Sequence, residues 1–322
     1  MEDTMKLTDI LDEISIGFQN NDAKSNKMRV HVERVRTILE SPDVVFANRS
    51  LNFTIREKGE DVSLSGSQVF LQGSYAISTA IKHATYEVDA DIAFYIDEVV
   101  DDRNIRIRIF ENLKKKLGAH EINIKKPCIT IDFGDGYRVD IAVYSKSTSN
   151  DAMMFHNSIS GSEEKTIATP KMIISTFSEY LRGDEFKRPI IRLTKHFIKN
   201  ATDKLRIEDR NKIPSIALLI LAIERYQPIN LEFSEETLNA ELNRFVDLLK
   251  NEFIHNQRVD ISYKPLLITN TLYKVNDFEQ VRKAITEIVV QTHSENYAAL
   301  ISKNVFESIN KRSKSDPTPS ML

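Results

Sequence analysis

Apolar positions along the chain follow a helical period at its start, a strand period in its centre and a helical period again towards its end. Residues 6–20 and 24–40 carry helical stripes. In the second stripe Met28, Val32, Val35 and Leu39 fall at i, i+4, i+7 and i+11. Ser41-Pro42 sets its end, because proline disfavours the α conformation in the residue before it. Residues 51–57 and 62–72 read as extended, and a turn with a short helix runs from Gly73 to about Ile81. The run 88–96 predicts a strand, 97–104 a charged linker and 105–117 a helix. Ile129 to Phe133 and Tyr137 to Tyr144 alternate on either side of Gly134-Asp135-Gly136, which predicts a hairpin.

From residue 168 the period is helical, over about 170–182, 187–200, 213–226, 235–254, 277–291 and 294–310. The expected fold class is therefore α+β: a sheet-bearing lobe over 1–160, helices included, and a helical lobe over 161–312. The tail 313–322 (Ser-Lys-Ser-Asp-Pro-Thr-Pro-Ser, then Met-Leu) reads as disordered. A cleft between two such lobes is a common ligand position.

The chain has 322 residues, 41% hydrophobic and 28% charged, which describes an ordinary globular protein. Its longest apolar run, Ile216 to Ile223, is too short for a membrane span, which needs about 20 residues. Met1-Glu2-Asp3-Thr4 lacks the basic and apolar regions of a secretory signal. The single cysteine, Cys128, sits in an apolar run and reads as a buried small side chain. A cytoplasmic setting is expected, with no membrane partner. The net charge of −3 favours small anionic substrates over long nucleic acid; Lys114-Lys115-Lys116 and Lys311-Arg312-Ser313-Lys314 read as solvated faces or tails.

Three aspartates carry the chemistry. Strand alternation points Asp89 and Asp91 the same way and Val88, Ala90, Ile92, Phe94 and Ile96 the other way, into a core. Asp140 lies on the less apolar face of its own strand with Arg138, Ala142 and Tyr144. If the two strands are neighbours, three carboxylates share one patch and repel one another. Oxygen ligands in that number suit Mg²⁺ or Mn²⁺. A pair of such ions about 3.5–4 Å apart serves phosphoryl and nucleotidyl transfer.

Gly73-Ser74 follows the apolar run Val69-Phe70-Leu71. Glycine lets a phosphate approach the backbone; the Ser74 hydroxyl either caps the helix or donates to a phosphate oxygen. Lys195 lies on the border of an apolar face, one turn from Ile191 and Ile198, where a lysine normally snorkels to solvent. Ser215, between Pro214 and an apolar run, reads as a residue at a helix start.

Together these segments resemble the bacterial cGAS/DncV-like nucleotidyltransferases (CD-NTases) of the DNA polymerase β-like superfamily. The resemblance rests on Leu71-Gln72-Gly73-Ser74-Tyr75-Ala76-Ile77-Ser78-Thr79-Ala80-Ile81, Glu87-Val88-Asp89-Ala90-Asp91-Ile92 and Asp140. Arg188-Pro189-Ile190-Ile191-Arg192-Leu193-Thr194-Lys195 and Pro214-Ser215 are similar to segments of that family's helical lobe. The resemblance implies a bilobed polymerase β-like fold, a mixed-sheet lobe plus a helical lobe. It implies two Mg²⁺ (or Mn²⁺) ions on Asp89, Asp91 and Asp140, with Asp140 helping to deprotonate a ribose hydroxyl. Gly73 and Ser74 would hold the donor's β- and γ-phosphates, and Lys195 and Ser215 would touch the triphosphate. Nucleoside triphosphates (ATP, GTP or pyrimidine nucleotides) would be joined into a cyclic di- or trinucleotide messenger read by a separate effector in anti-phage (CBASS) signalling.

Two positions depart from the family. Ile216 stands where relatives often carry a base-stacking aromatic, and Phe197 stands where a tryptophan is frequent; the chain has no tryptophan. The alternative enzyme is an RNA-directed nucleotidyltransferase of the tRNA or poly(A) type, which would need a basic track that the net charge does not suggest. A non-catalytic nucleotide-binding scaffold gives no reason for three mutually repelling carboxylates, and a hydrolase using an aspartate pair gives none for Gly73-Ser74.

Overall fold

Period-two alternation in the centre of the chain builds a mixed sheet, of seven strands among the described residues. A computed structural model describes residues 6–17, 22–41, 67–82, 88–97, 105–118, 120–125, 127–147, 152–157 and 163–293. The strand expected at 51–57, the start of the 62–72 run, the helix expected at 294–310 and the tail fall outside them.

The strands are β1 (Ser67–Gln72), β2 (Val88–Ile96), β3 (Glu121–Ile124), β4 (Ile129–Asp132), β5 (Tyr137–Lys146), β6 (Ala152–Asn157) and β7 (Glu163–Ala168). Their main order is β1-β2-β5-β4-β3, with β6 on β5 and β7 on β6. β2 and β5 run parallel; the other pairs are antiparallel. The expected hairpin is the β4–β5 unit. Gly134 and Gly136 take φ of +73° and +82° at its tip, a region glycine enters at little cost. Asp135 ties the tip to helix Ala23–Leu39 through Lys27 at 3.2 Å and His31 at 2.9 Å.

One face of the sheet buries Ala90, Ile92 and Phe94 of β2 and Val139, Ile141 and Val143 of β5. Against them pack Met28, Val32, Val35 and Leu39, with Ile109 and Leu113 from helix Ile105–Leu117. Each such side chain contributes on the order of 1.5–3 kcal/mol. Arg106 is fully buried beside this layer and donates to the carbonyls of Lys125 (2.6 Å) and Cys128 (3.0 Å). Cys128 is itself buried, and its thiol is pushed up to about 11, chiefly by burial.

A second core joins helices Pro170–Tyr180, Lys187–Lys204, Ser215–Arg225, Glu235–Lys250 and Phe278–His293. Leu7, Ile10, Leu11 and Ile14 of the first helix, Leu7–Ile14, belong to this core. The Glu235 carboxylate accepts from the Leu7 and Thr8 backbone N–H groups and from the Thr8 hydroxyl (3.0 Å). At the other end of that helix, Lys82 N–H donates to the Ile14 carbonyl at 2.6 Å. The first helix thus packs among the helices of this second core, and the sheet continues to Ala168.

Candidate active site

The two aspartate strands are neighbours, and their register brings the carboxylates together. Asp91 pairs with Asp140, and Asp89 with Arg138, across the parallel β2–β5 ladder. All four side chains leave the face opposite the Phe94–Ile141 core. Burial pushes Asp91 up to about 7, with Asp140 and Asp89 adding repulsion. Asp89 is also raised, by burial first, against the opposing pull of Arg138.

Gly73 lies directly over this patch. Gln72 pairs with Asp91 at the end of β1, and the next residue turns away with φ +63°. A Cβ built at position 73 would stand 2.1 Å from Asp91 Oδ2. Only glycine therefore fits, for space and for backbone conformation alike. Gly73 opens a single helical turn, Gly73–Ala76, whose N-cap Gln72 makes no side-chain cap.

A cavity of about 320 Å³ opens here, lined on the sheet side by Gly73, Ser74, Asp89 and Asp91. Its opposite wall is apolar, from Ile173, Ile174, Phe177, Ile216 and Leu219, interrupted by Ser215. Ser215 is the first residue of its helix; Pro214 is the N-cap. It also borders a second cavity of about 90 Å³ that includes Lys195, Lys199, Thr202 and Lys212. Asp140 does not line the larger cavity; it is Asp91's partner on the neighbouring strand.

Lys195 does not snorkel. It is buried, and its Nζ donates to the Thr79 carbonyl at 2.9 Å and to Thr79 Oγ1 at 3.2 Å. Burial, then Lys199 and Arg192, lower it to about 7. The border position on its helix faces the segment after Gly73-Ser74 rather than water. Sequence reasoning missed this anchor, the two further lysines and the apolar wall from Pro170–Tyr180. A signal existed for Lys199, which lies one helical turn after Lys195.

Arg138 is the other missed participant. It donates to Asp89 Oδ2 at 2.7 Å and lies 3.8 Å from Asp140. Asp89 Oδ1 and Asp140 Oδ1 are buried and receive no hydrogen bond. Orphaned carboxylate oxygens of this kind suit a hard divalent cation. Among the described residues, however, no three His, Cys, Asp or Glu side chains stand as a ready metal cage, and Asp89 is engaged by Arg138.

Residues 67–144 match the family model described as cyclic GMP-AMP synthase DncV-like, nucleotidyltransferase domain. These residues form a DncV-like nucleotidyltransferase domain. The nucleotidyltransferase segment holds Gly73, Ser74, Asp89, Asp91, Arg138 and Asp140; Lys195 and Ser215 lie beyond it. Solved structures extend the likeness of fold to nearly the whole chain. Bradyrhizobium diazoefficiens CdnG, a CD-NTase in complex with GTP, aligns with a TM-score of 0.64 at 13% identity, over 94% of this chain and 92% of that one. Vibrio cholerae DncV, a cyclic AMP-GMP synthase with nonhydrolyzable GTP, gives 0.62 at 12%, over 92% of each chain. E. coli CdnC with ATP gives 0.53 at 16%, over 89% and 87%. The chain thus has the expected bilobed α+β, polymerase β-like fold. Among the described residues no helix is long and apolar enough to cross a membrane.

Proposed function

We propose that the chain joins nucleoside triphosphates into a cyclic di- or trinucleotide, releasing pyrophosphate, and that the product is read by a separate effector in anti-phage (CBASS) defence in the cytoplasm. The observation carrying this reading is the pairing of Asp91 with Asp140 across β2 and β5, with Asp89 and Asp91 lining, beside Gly73-Ser74, a cavity walled by the helical lobe. Asp89, Asp91 and Asp140 would hold Mg²⁺ or Mn²⁺, which supplies Lewis acidity toward the α-phosphate and the attacking hydroxyl.

The chain's own residues divide the remaining work. Gly73 lacks the Cβ that would collide with Asp91 Oδ2, so the Asp91 carboxylate lies against the turn whose backbone N–H groups would face phosphate oxygens. The Ser74 hydroxyl adds a donor at the cavity wall. Lys195 has three N–H donors, and Thr79 takes two; the remaining N–H and Ser215 would face the triphosphate. Asp140 would accept the ribose hydroxyl proton as the oxygen–phosphorus bond forms and the pyrophosphate bond breaks. Ile173, Ile174, Phe177 and Ile216 offer a nucleobase an apolar slot that excludes water. A linear product re-bound in the same cavity closes by the same chemistry, so one set of carboxylates suffices.

Mass spectrometry of the products from mixed NTPs with Mg²⁺ or Mn²⁺ tests the reading. A small nuclease-resistant cyclic product supports it. A strict requirement for added RNA would instead make the enzyme RNA-directed, and no product under either condition would refute both.

A further inference from the structure

The carboxylate patch already contains a cation. Arg138 and Asp89 are register partners across β2 and β5. Alternation places Arg138 on the face of Asp140, two residues along the same strand. Its Nη2 donates to Asp89 Oδ2 at 2.7 Å, and its Nε stands 3.8 Å from Asp140 Oδ1. One guanidinium therefore spans carboxylates from both strands. It is always charged, and it cannot be neutralised to make way. Its side chain is 26% exposed, so it has a path toward solvent. The second oxygen of Asp89 and the near oxygen of Asp140 lack donors.

We propose that Arg138 is a positioning residue acting as an internal counter-cation: it holds Asp89 and Asp140 in the metal-free protein and releases Asp89 when a divalent cation binds. The proposal rests on the metal-binding reading of the aspartate trio. Two consequences follow from charge alone. A fixed positive group on the same carboxylates repels a divalent cation and weakens its binding, so its removal tightens it. The same group offsets carboxylate repulsion, so the patch stays folded without metal. An ion pair of purely structural role would move only the second.

The test is titration of metal-stripped full-length protein with Mn²⁺, read by electron paramagnetic resonance, with no nucleotide present. Arg138→Gln should bind Mn²⁺ about tenfold more tightly than wild type, while Arg138→Lys, which keeps the charge, should stay near wild type. The melting temperature in EDTA should fall for Arg138→Gln. Wild-type binding with equal or weaker binding by Arg138→Gln overturns the proposal alone. Absence of Mn²⁺ binding in every variant, wild type included, removes the metal reading of the trio and this proposal with it. If Arg138→Gln does not fold, the Arg138 Nε–H nuclear magnetic resonance signal, assigned by its loss in Arg138→Lys, gives the answer in wild type. It should shift on adding Mg²⁺; an unmoved signal at saturating Mg²⁺ overturns the proposal.

Discussion

Gly73 sits so close to Asp91 that a single added methyl group would overlap the carboxylate, with Cβ 2.1 Å from Oδ2. Gly73→Ala must move one or the other, and its left-handed backbone alone costs about 1–2 kcal/mol. The variant should melt lower and lose most product formation, with the loss in kcat exceeding that expected from its stability at assay temperature. Wild-type turnover in a folded Gly73→Ala would detach this contact from catalysis.

Replacing Asp89 and Asp91 together with asparagine should abolish product. The melting temperature in metal-free buffer should stay the same or rise, since repulsion is relieved while Arg138 keeps an oxygen acceptor. Retained turnover in that double variant would end the proposed mechanism.

Asp91 also predicts a pH dependence. Its folded pKa of about 7 lies above the ordinary 3.8. The folded protein thus keeps a proton that the unfolded chain gives up first. Between about pH 4 and 7 rising pH erodes stability, and the penalty is complete above that window. In EDTA the stability gain of Asp91→Asn over wild type should grow across this range and level off beyond it. Parallel denaturation midpoints from acid to neutral pH would contradict the burial of this carboxylate.

Lys195→Met keeps the apolar stem and removes the charge. Since burial disfavours the charged lysine, the variant should keep or gain stability below neutral pH while the KM for nucleotide rises severalfold. An unchanged KM would reduce Lys195 to an anchor for Thr79.

Ile216→Tyr adds a flat ring to the apolar wall of the cavity. Stacking of a base on an aromatic contributes about 1–3 kcal/mol, so KM should fall by about tenfold or more. A KM that rises would place the base elsewhere.

Strand β2 and helix Ile105–Leu117 were legible to the residue, because each alternates or repeats strongly over its whole length. Period two also fixes that Asp89 and Asp91 share a face, whereas the approach of Asp140 depends on the pairing of β2 with β5. Strands β3, β6 and β7 were not foreseen. Glu121–Ile124 is four residues long, and Ala152–Asn157 and Glu163–Ala168 branch from β5, outside the main strand order, where neighbours rather than sequence period decide pairing. Lys195 was misjudged as solvent-seeking because its partner, Thr79, is 116 residues away and no local pattern records it. Arg138 was placed on the right face, but which carboxylate it would grip depended on inter-strand register, which alternation leaves open.

The capping of the first helix by Glu235 sets an order of events in synthesis. The donors on Leu7 and Thr8 wait for an acceptor 228 and 227 residues further along. During translation Leu7, Ile10, Leu11 and Ile14 emerge with none of the five later helices to receive them. Local segments such as the β4–β5 hairpin can close early, whereas this stripe waits for helices Lys187–Lys204 and Glu235–Lys250. A helix made before all the helices that bury it is seated only after them, and in that interval its apolar stripe is exposed to a chaperone.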